Sequence, residues 1–524
     1  MKCNDMYLIV LCFFEKGGKP AMVIKHVSQQ EMYPDEETEA LSLLSEEYTP
    51  KVLPPILRTK DMVAIFVVTI VFISNAATAA SGGAAAYVYW IVGGITFFIP
   101  SVIATAQLGV MYPHEGSIYN WTYKTLGAYW AFFVGLCWWF PVILVLVSAA
   151  DTIITYIQGL NPAWLTEPWQ QGLAIMAILI FSTFIATRRA RVSQNIINFG
   201  ACMLLFATTL IGAAGVRWLL TGHPSATSFA HPADWSINPG NFALMGLITL
   251  AYLGSQVPLN MAGEMIGGDE KRRHKSIVHH LQLGTLLVFV CYFLATFALL
   301  VVEGPTNGAT PFALIDTVDK AFGKTWGNIT VICIMGGFIA AVVLFNTSFA
   351  RVLFASSVDR RIPINMGRLN KHRVPVNGIF LQTLLSVIFT AIAFLLVPYA
   401  LKLGSPANLA GMIYNVSLAV VSLVWALITN FFYIALFKLY LQDRKTFREK
   451  AIVPLPILLG ICIIGPISCI ATIVTAVLYS WIPSLIPNGS WTLIVGGVVI
   501  VCFTFVAMGS MFATSEAAWQ NWTK

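Results

Sequence analysis

Few side chains in this sequence are equipped for chemistry, and most of those lie in one interrupted stretch, Phe242 to Ser276. It begins as an apolar helix and runs through Leu250-Ala-Tyr-Leu into Gly254-Ser255-Gln256-Val257-Pro258. Glycine weakens a helix, and proline has no N–H to donate to the residue four before it. Asn260, Glu264 and the charged turn Asp269-Glu270-Lys271-Arg272-Arg273 follow. In hydrocarbon, backbone groups freed by such a break survive only where protein or a wet cavity satisfies them. The break is therefore either a kink or a binding site. Its bare peptide groups suit a small zwitterion better than bond-making chemistry.

A second weak place lies in the first apolar run, at Ile73-Ser74-Asn75-Ala76 and the small residues up to Gly83. Helix N-termini present free N–H groups and suit a carboxylate, so Ile73, Ser74, Asn75 and Ala76 are the candidate acceptors for one. Unwound carbonyls suit an ammonium or a cation, which selects Tyr252, Leu253 and Gly254, with Ser255 beside them. The Gln256 amide both donates and accepts and reads a substrate side chain, or else it packs between helices. Trp138, in Trp138-Trp139-Phe140-Pro141, gates the site or holds an ammonium by cation–π attraction, or else it is core. Glu264 would pair with Arg272 or Arg351 as a latch at the inner mouth, with Glu115 in a similar place. His279-His280 reads as an interfacial pair rather than a metal site.

The elements that must position these residues are membrane helices. Of the 524 residues 57% are hydrophobic and 10% charged, against about 25% charged in a soluble domain. Runs of roughly 20 apolar residues recur. Twelve spans are expected, at about 61–80, 84–108, 127–157, 170–187, 192–220, 242–264, 277–302, 326–357, 378–397, 408–437, 453–479 and 491–512. Arg and Lys cluster after spans four, six, eight and ten, as in Arg188-Arg189 and Arg360-Arg361. Every second loop is thus basic, which places both termini in the cytoplasm. The formal charge of +7 follows that loop pattern and not a nucleic-acid footprint. The nine cysteines are scattered, without metal or redox spacing. No P-loop, nucleophile elbow or paired catalytic carboxylates occur, so neither an enzyme nor a cofactor is expected. No repeated filter motif supports a channel.

Residues 1–58 are polar and acidic beyond the short apolar Tyr7–Phe14, and read as a structureless cytosolic tail, with Met22 or Met32 as alternative starts. Residues 59–515 read as the twelve-helix membrane domain and 516–524 as a short cytosolic tail. Thr310-Pro311 reads as the start of a short external helix. The first and sixth spans are both broken and sit five apart. Interruptions at matching positions in two halves point to an inverted repeat with its site at mid-bilayer. Two unrelated kinks are the alternative.

Three motifs resemble the amino acid–polyamine–organocation superfamily: Tyr252-Leu-Gly-Ser-Gln-Val-Pro-Leu-Asn-Met-Ala-Gly-Glu264-Met, Leu108-Gly-Val-Met-Tyr-Pro-His-Glu-Gly-Ser-Ile-Tyr119, and Arg351-Val-Leu-Phe-Ala-Ser-Ser-Val-Asp-Arg-Arg-Ile-Pro363 with Arg373-Val-Pro375. The likeness covers about residues 55–515, and its wording is nearest the glutamate/γ-aminobutyrate antiporter-like branch. It implies an all-α, LeuT-like fold: a five-plus-five inverted repeat plus two helices, with helices one and six discontinuous. It implies secondary transport of amino acids or related amines across the cell membrane, coupled to a proton, to sodium or to a counter-substrate. A substrate sensor on the same scaffold is the alternative. Related sodium symporters use a hydroxyl pair, for which Thr347 and Ser348 are the weak candidates. Some departures matter. Gln256 stands where the family usually has Glu, and Gly267-Gly268 where Asn-Pro is usual. The family's first-span Gly-x-Gly is absent. Asn198-Phe-Gly-Ala-Cys202 lacks the span-five lysine of some proton-coupled relatives.

Overall fold

Apolar stretches in hydrocarbon satisfy their backbone by coiling on themselves. In the computed structural model, most of the described residues from 43 onward do so. The structure describes all residues except 1–6, 15–19, 28–42, 239–240, 267–268, 401–405, 483–484 and 523–524. An antiparallel hairpin comes first, β1 (Tyr7–Phe14) and β2 (Pro20–Val27), with Tyr7 opposite Val27. Then follow α1 (Leu44–Val52), α2 (Thr59–Ile70), α3 (Ser74–Ala80), α4 (Ala85–Met111), α5 (Ile118–Leu126) and α6 (Ala128–Leu160). Next are α7 (Pro168–Ala186), α8 (Ala190–Leu220) and α9 (Ala243–Leu250). After a 3-10 segment, Val257–Glu264, come α10 (Glu270–Val302), α11 (Ala313–Phe322) and α12 (Lys324–Val358). The last are α13 (Val376–Ala400), α14 (Pro406–Gln442), α15 (Leu455–Leu478) and α16 (Asn488–Trp522).

Ten helices among the described residues are long and apolar enough to cross a membrane, and the bent pair α2–α3 brings the total to eleven. The chain is a multi-pass membrane protein. The sixth expected span falls short because α9 ends after eight residues. The two halves of the first expected span meet at 44°. Both interruptions are therefore present in the fold.

Small residues let the long helices close up. A Cβ on Gly200 of α8 would collide with Ala340 of α12, so these helices pack backbone to backbone. α12 is the centre of the body: Gly337 to Phe345 and Phe349 to Ala355 are almost wholly buried along it. α16 is the opposite, with Leu493, Ile500, Phe505 and Met511 exposed where acyl chains would lie.

Two expectations are corrected. Composition marked residues 1–58 as structureless, but the hairpin and α1 lie within them. α1 docks because the Ser45 amide and hydroxyl both donate to the Asp359 carboxylate, each at 2.8 Å. The Glu46 carboxylate accepts from Asn120 at 2.7 Å and Lys124 at 2.9 Å. Thr310 does not start the external helix. Its hydroxyl turns back to the Asn307 carbonyl, and α11 begins at Ala313. Helix α16 runs on to Trp522, into the stretch expected as the tail 516–524.

Candidate functional site

The two breaks are built to touch. After Ile70 the chain tightens: the Phe72 amide donates to Ile70 O at 2.8 Å, Asn75 N to Phe72 O at 2.9 Å and Ala76 N to Ile73 O at 3.0 Å. On the other side Gly254 has φ +113°, a region L side chains rarely adopt, and a Cβ there would lie 2.7 Å from Thr69 Cγ2. Only glycine both makes this turn and lets α2 come so near. Tyr292 of α10 stands between the breaks. Its hydroxyl is 2.6 Å from Ile70 O and 3.3 Å from Ala251 O, and Asn75 Nδ2 reaches it at 3.4 Å. One phenol thus ties the interrupted ends of two helices.

A cavity of about 290 Å³ opens against both breaks. Ser74, Asn75 and Thr78 line it from α3, Leu253 from the second break, Ser148 and Thr152 from α6, and Tyr414 and Trp425 from α14. No lining residue is charged. Of them Thr78 alone is exposed, which puts the mouth toward the Ala80 end of α3. Trp425 is held flat on Phe349, with ring centroids 5.7 Å apart, and donates its Nε1 to Trp138 O at 3.1 Å. Tyr414 donates to Ser148 Oγ at 2.5 Å.

Of the sequence-derived candidates, Ser74, Asn75 and Leu253 line this cavity. Ile73 and Ala76 are wholly buried beside it, and the Asn75 and Ala76 amides already serve the turn. Tyr252 points away and donates to Trp90 O at 3.1 Å. Gly254 shapes the turn without lining. The Ser255 hydroxyl lies 3.1 Å from that of Ser101 and 3.0 Å from that of Thr105. Gln256 is buried behind the break, off the cavity wall, and its Nε2 has no partner among the described residues. Trp138 is core: its Nε1 donates to Asn260 Oδ1 at 3.2 Å, and Trp425 takes the cavity-facing place. The Thr347 hydroxyl donates to Val343 O and Leu344 O of its own helix, while that of Ser348 reaches Val257 O at 3.2 Å.

The end of the body that carries α1 is sealed. Arg351 Nε donates to Glu264 Oε1 at 2.8 Å, and both side chains are at most 2% exposed. Arg351 Nη1 reaches Thr347 O at 2.9 Å. Glu115 is buried alongside, next to Gly263 and Glu264. Asn260 knots the layer above. It accepts from Ser117 Oγ at 2.6 Å and donates to Ser348 Oγ at 3.3 Å. Ile56 and Leu57 close it from the front, each donating its amide to Glu264 O, at 2.8 and 2.9 Å.

Residue types gave no sign of Tyr292 or Trp425, since each acts from a helix distant in sequence, and Asn260, though it lies in the interrupted stretch itself, gave no sign of being the knot. Asp151, half-buried beside Thr152 and within electrostatic range of Tyr414, did carry a signal: a carboxylate inside a membrane helix is costly without a use.

A helical membrane body whose two interrupted helices meet at an uncharged cavity, open toward one end and latched at the other, is the architecture of a secondary transporter. The family profile described as amino acid permease matches residues 58–503, and the chain belongs to that family. It is 24% identical to an uncharacterized transporter of Legionella pneumophila, over 68% of this chain and 79% of that protein. It is 23% identical to a probable agmatine/putrescine antiporter of Lactococcus lactis, over 50% of this chain and 55% of that one. It is also 23% identical to an aromatic amino acid transport protein of Corynebacterium glutamicum, over 67% and 73%. The protein is a membrane transporter of amino acids or related amines, not an enzyme.

Proposed function

We propose that this permease carries its substrate across the cell membrane by alternating access, and that the cavity at the two breaks is the substrate site. The tie made by Tyr292 between the broken helices, beside that cavity, is the observation that carries the reading. A substrate carboxylate sits at the tight turn, where the Ile73 and Ser74 amides have no acceptor among the described residues. Its ammonium sits against the carbonyls of Tyr252 and Leu253, which receive no donor among the described residues. Trp425 covers it. Gln256 acts from behind the break, orienting the turn rather than touching the solute.

The broken α9 with its 3-10 segment counts as the sixth span in this reading, giving twelve spans with the five-plus-five repeat. The basic loops and both termini are cytoplasmic, so the sealed end is the inner gate and the cavity faces outward. Exchange against a counter-substrate is favoured. Gln256 removes the usual acid, and span five lacks lysine.

Asp151 favours a second reading, in which the solute is an amine with a further cationic group. A carboxylate near the Tyr414 wall would anchor a distal ammonium or guanidinium. The name of the Lactococcus relative points the same way.

Purified protein in liposomes, preloaded with single amino acids or diamines, should show counterflow of a labelled pool. Tests with and without sodium and pH gradients assign the coupling. If no amino acid or polyamine moves under any gradient, the transport reading fails and a sensor remains. Asp151→Asn should lower counterflow of diamines at least tenfold while leaving neutral amino acids within about twofold. An equal effect on both sinks the amine reading.

A further inference from the structure

The inner gate holds two carboxylates and one guanidinium. Arg351 is committed to Glu264. Glu115 is 2% exposed, and both its oxygens are buried without a hydrogen-bond partner among the described residues. They lie near the amides of Gly263 and Glu264 without completing a bond to either. A Cβ on Gly263 would be 3.1 Å from Glu115 Oε1, so the 3-10 segment is pressed directly onto this acid. If both acids were ionised, the closed gate would carry one uncompensated buried charge, an arrangement that costs several kcal/mol. Like charges sharing a buried site resolve the problem by keeping a proton.

We propose that Glu115 is a proton-binding site, and that its proton holds the inner gate shut. Binding adds one H⁺ to the Glu115 carboxylate, giving a neutral carboxylic acid beside the Glu264–Arg351 pair. Opening draws the loop 112–117 off the 3-10 segment, lets water reach Glu115 and releases that H⁺ to the solvent on the α1 side. Loss of the proton while the gate is closed sets two anions against one cation and drives the parts apart. The ligand is the hydron itself, loaded and unloaded from one face, so the site sets gate occupancy and is not a coupling path through the membrane.

The surroundings agree. Burial, the largest influence, and then Glu264 raise the affinity of Glu115 for its proton well above that of a free carboxyl, against the pull of Arg351. A raised acid favours the closed fold at low pH, and that advantage fades as pH climbs through the raised value. The other ionisable groups nearby belong to separate constellations. Tyr119 of α5 faces Asp359 and Arg361. His114, on the same loop, faces Glu46, Lys124 and Arg273.

The inference rests on the gate reading above, and its test separates the two. Counterflow is measured in liposomes with equal pH on both sides, over a series of pH values. The wild type should speed up as pH rises, by up to tenfold per unit as one proton allows. Within Glu115→Gln, which mimics the protonated form, the ratio of high-pH to low-pH rate should fall to about one. His114→Gln should keep the wild-type slope. Counterflow with a flat wild-type profile, a slope that E115Q preserves, or one that H114Q abolishes overturns the proposal. No counterflow at any pH sinks the transport reading instead. If E115Q does not fold, weakly buffered wild-type protein near neutral pH decides. A substrate that opens the gate should release about one proton per molecule, and no release overturns the assignment.

Discussion

At the scale of single residues the proposed site depends on groups that do not line its cavity. Tyr292 reaches both broken helices with one hydroxyl, at Ile70 O and Ala251 O. Tyr292→Phe keeps the ring, which stacks on Trp90 with centroids 4.3 Å apart, and removes only the tie. A net hydrogen bond is worth about 1 kcal/mol, so substrate affinity should drop about fivefold with little change in protein yield. An unchanged affinity by equilibrium binding would show the tie to be idle. Gly254→Ala should do more, because it adds strain of order 1–3 kcal/mol at φ +113° and a clash with Thr69. Lower thermal stability in detergent is expected, with partial relief from Thr69→Ser, which deletes the clashing methyl.

At the scale of elements, the breaks were legible because Gly254 and Pro258 cannot continue a helix and because residues 73–83 have little to pack. Which way the flanking side chains turn was not. Gln256 and Trp138 looked poised for a solute, yet helix rotation sends one behind the turn and the other to Asn260. Rotation is set by neighbours such as α10 and α14, distant in sequence, and no local spacing encodes it. α1 was illegible for a related reason. Its acidic composition reads as solvent-loving until Ser45 finds Asp359 and Glu46 finds Lys124 and Asn120. Ser45→Ala removes one of those bonds and should quicken limited proteolysis between residues 43 and 58 about fivefold, as loss of about 1 kcal/mol implies. Unchanged digestion would mean α1 is held by its apolar contacts alone.

At the scale of the whole molecule, the proposed cycle turns on one buried ion pair, Glu264–Arg351. Arg351→Ala strands Glu264 and Glu115 together in a buried place, an error of about 3–5 kcal/mol. The thermal midpoint should fall clearly, and the inner end should become reactive to water-soluble thiol reagents at a cysteine placed at Asn260. Glu264→Gln removes the direct ion pair and leaves Glu115 as the carboxylate next to Arg351, and should loosen the same end. A double replacement by apolar residues of similar size should recover much of the stability while abolishing regulated closure. If Arg351→Ala left both stability and labelling unchanged, the latch would be ornamental.

The stretch ahead of α2 has a mechanical consequence. Leu57 pairs in parallel with Met265, and its carbonyl takes the Ile266 amide at 2.8 Å. The first and sixth segments are therefore stapled at their tips next to the latch, and in the proposed cycle they travel as one piece. Cysteines at 57 and 265, joined by oxidation, should leave turnover untouched, because the staple is already there. The same covalent tie between 264 and 351 would span the seam that has to part, and should freeze the carrier facing one way.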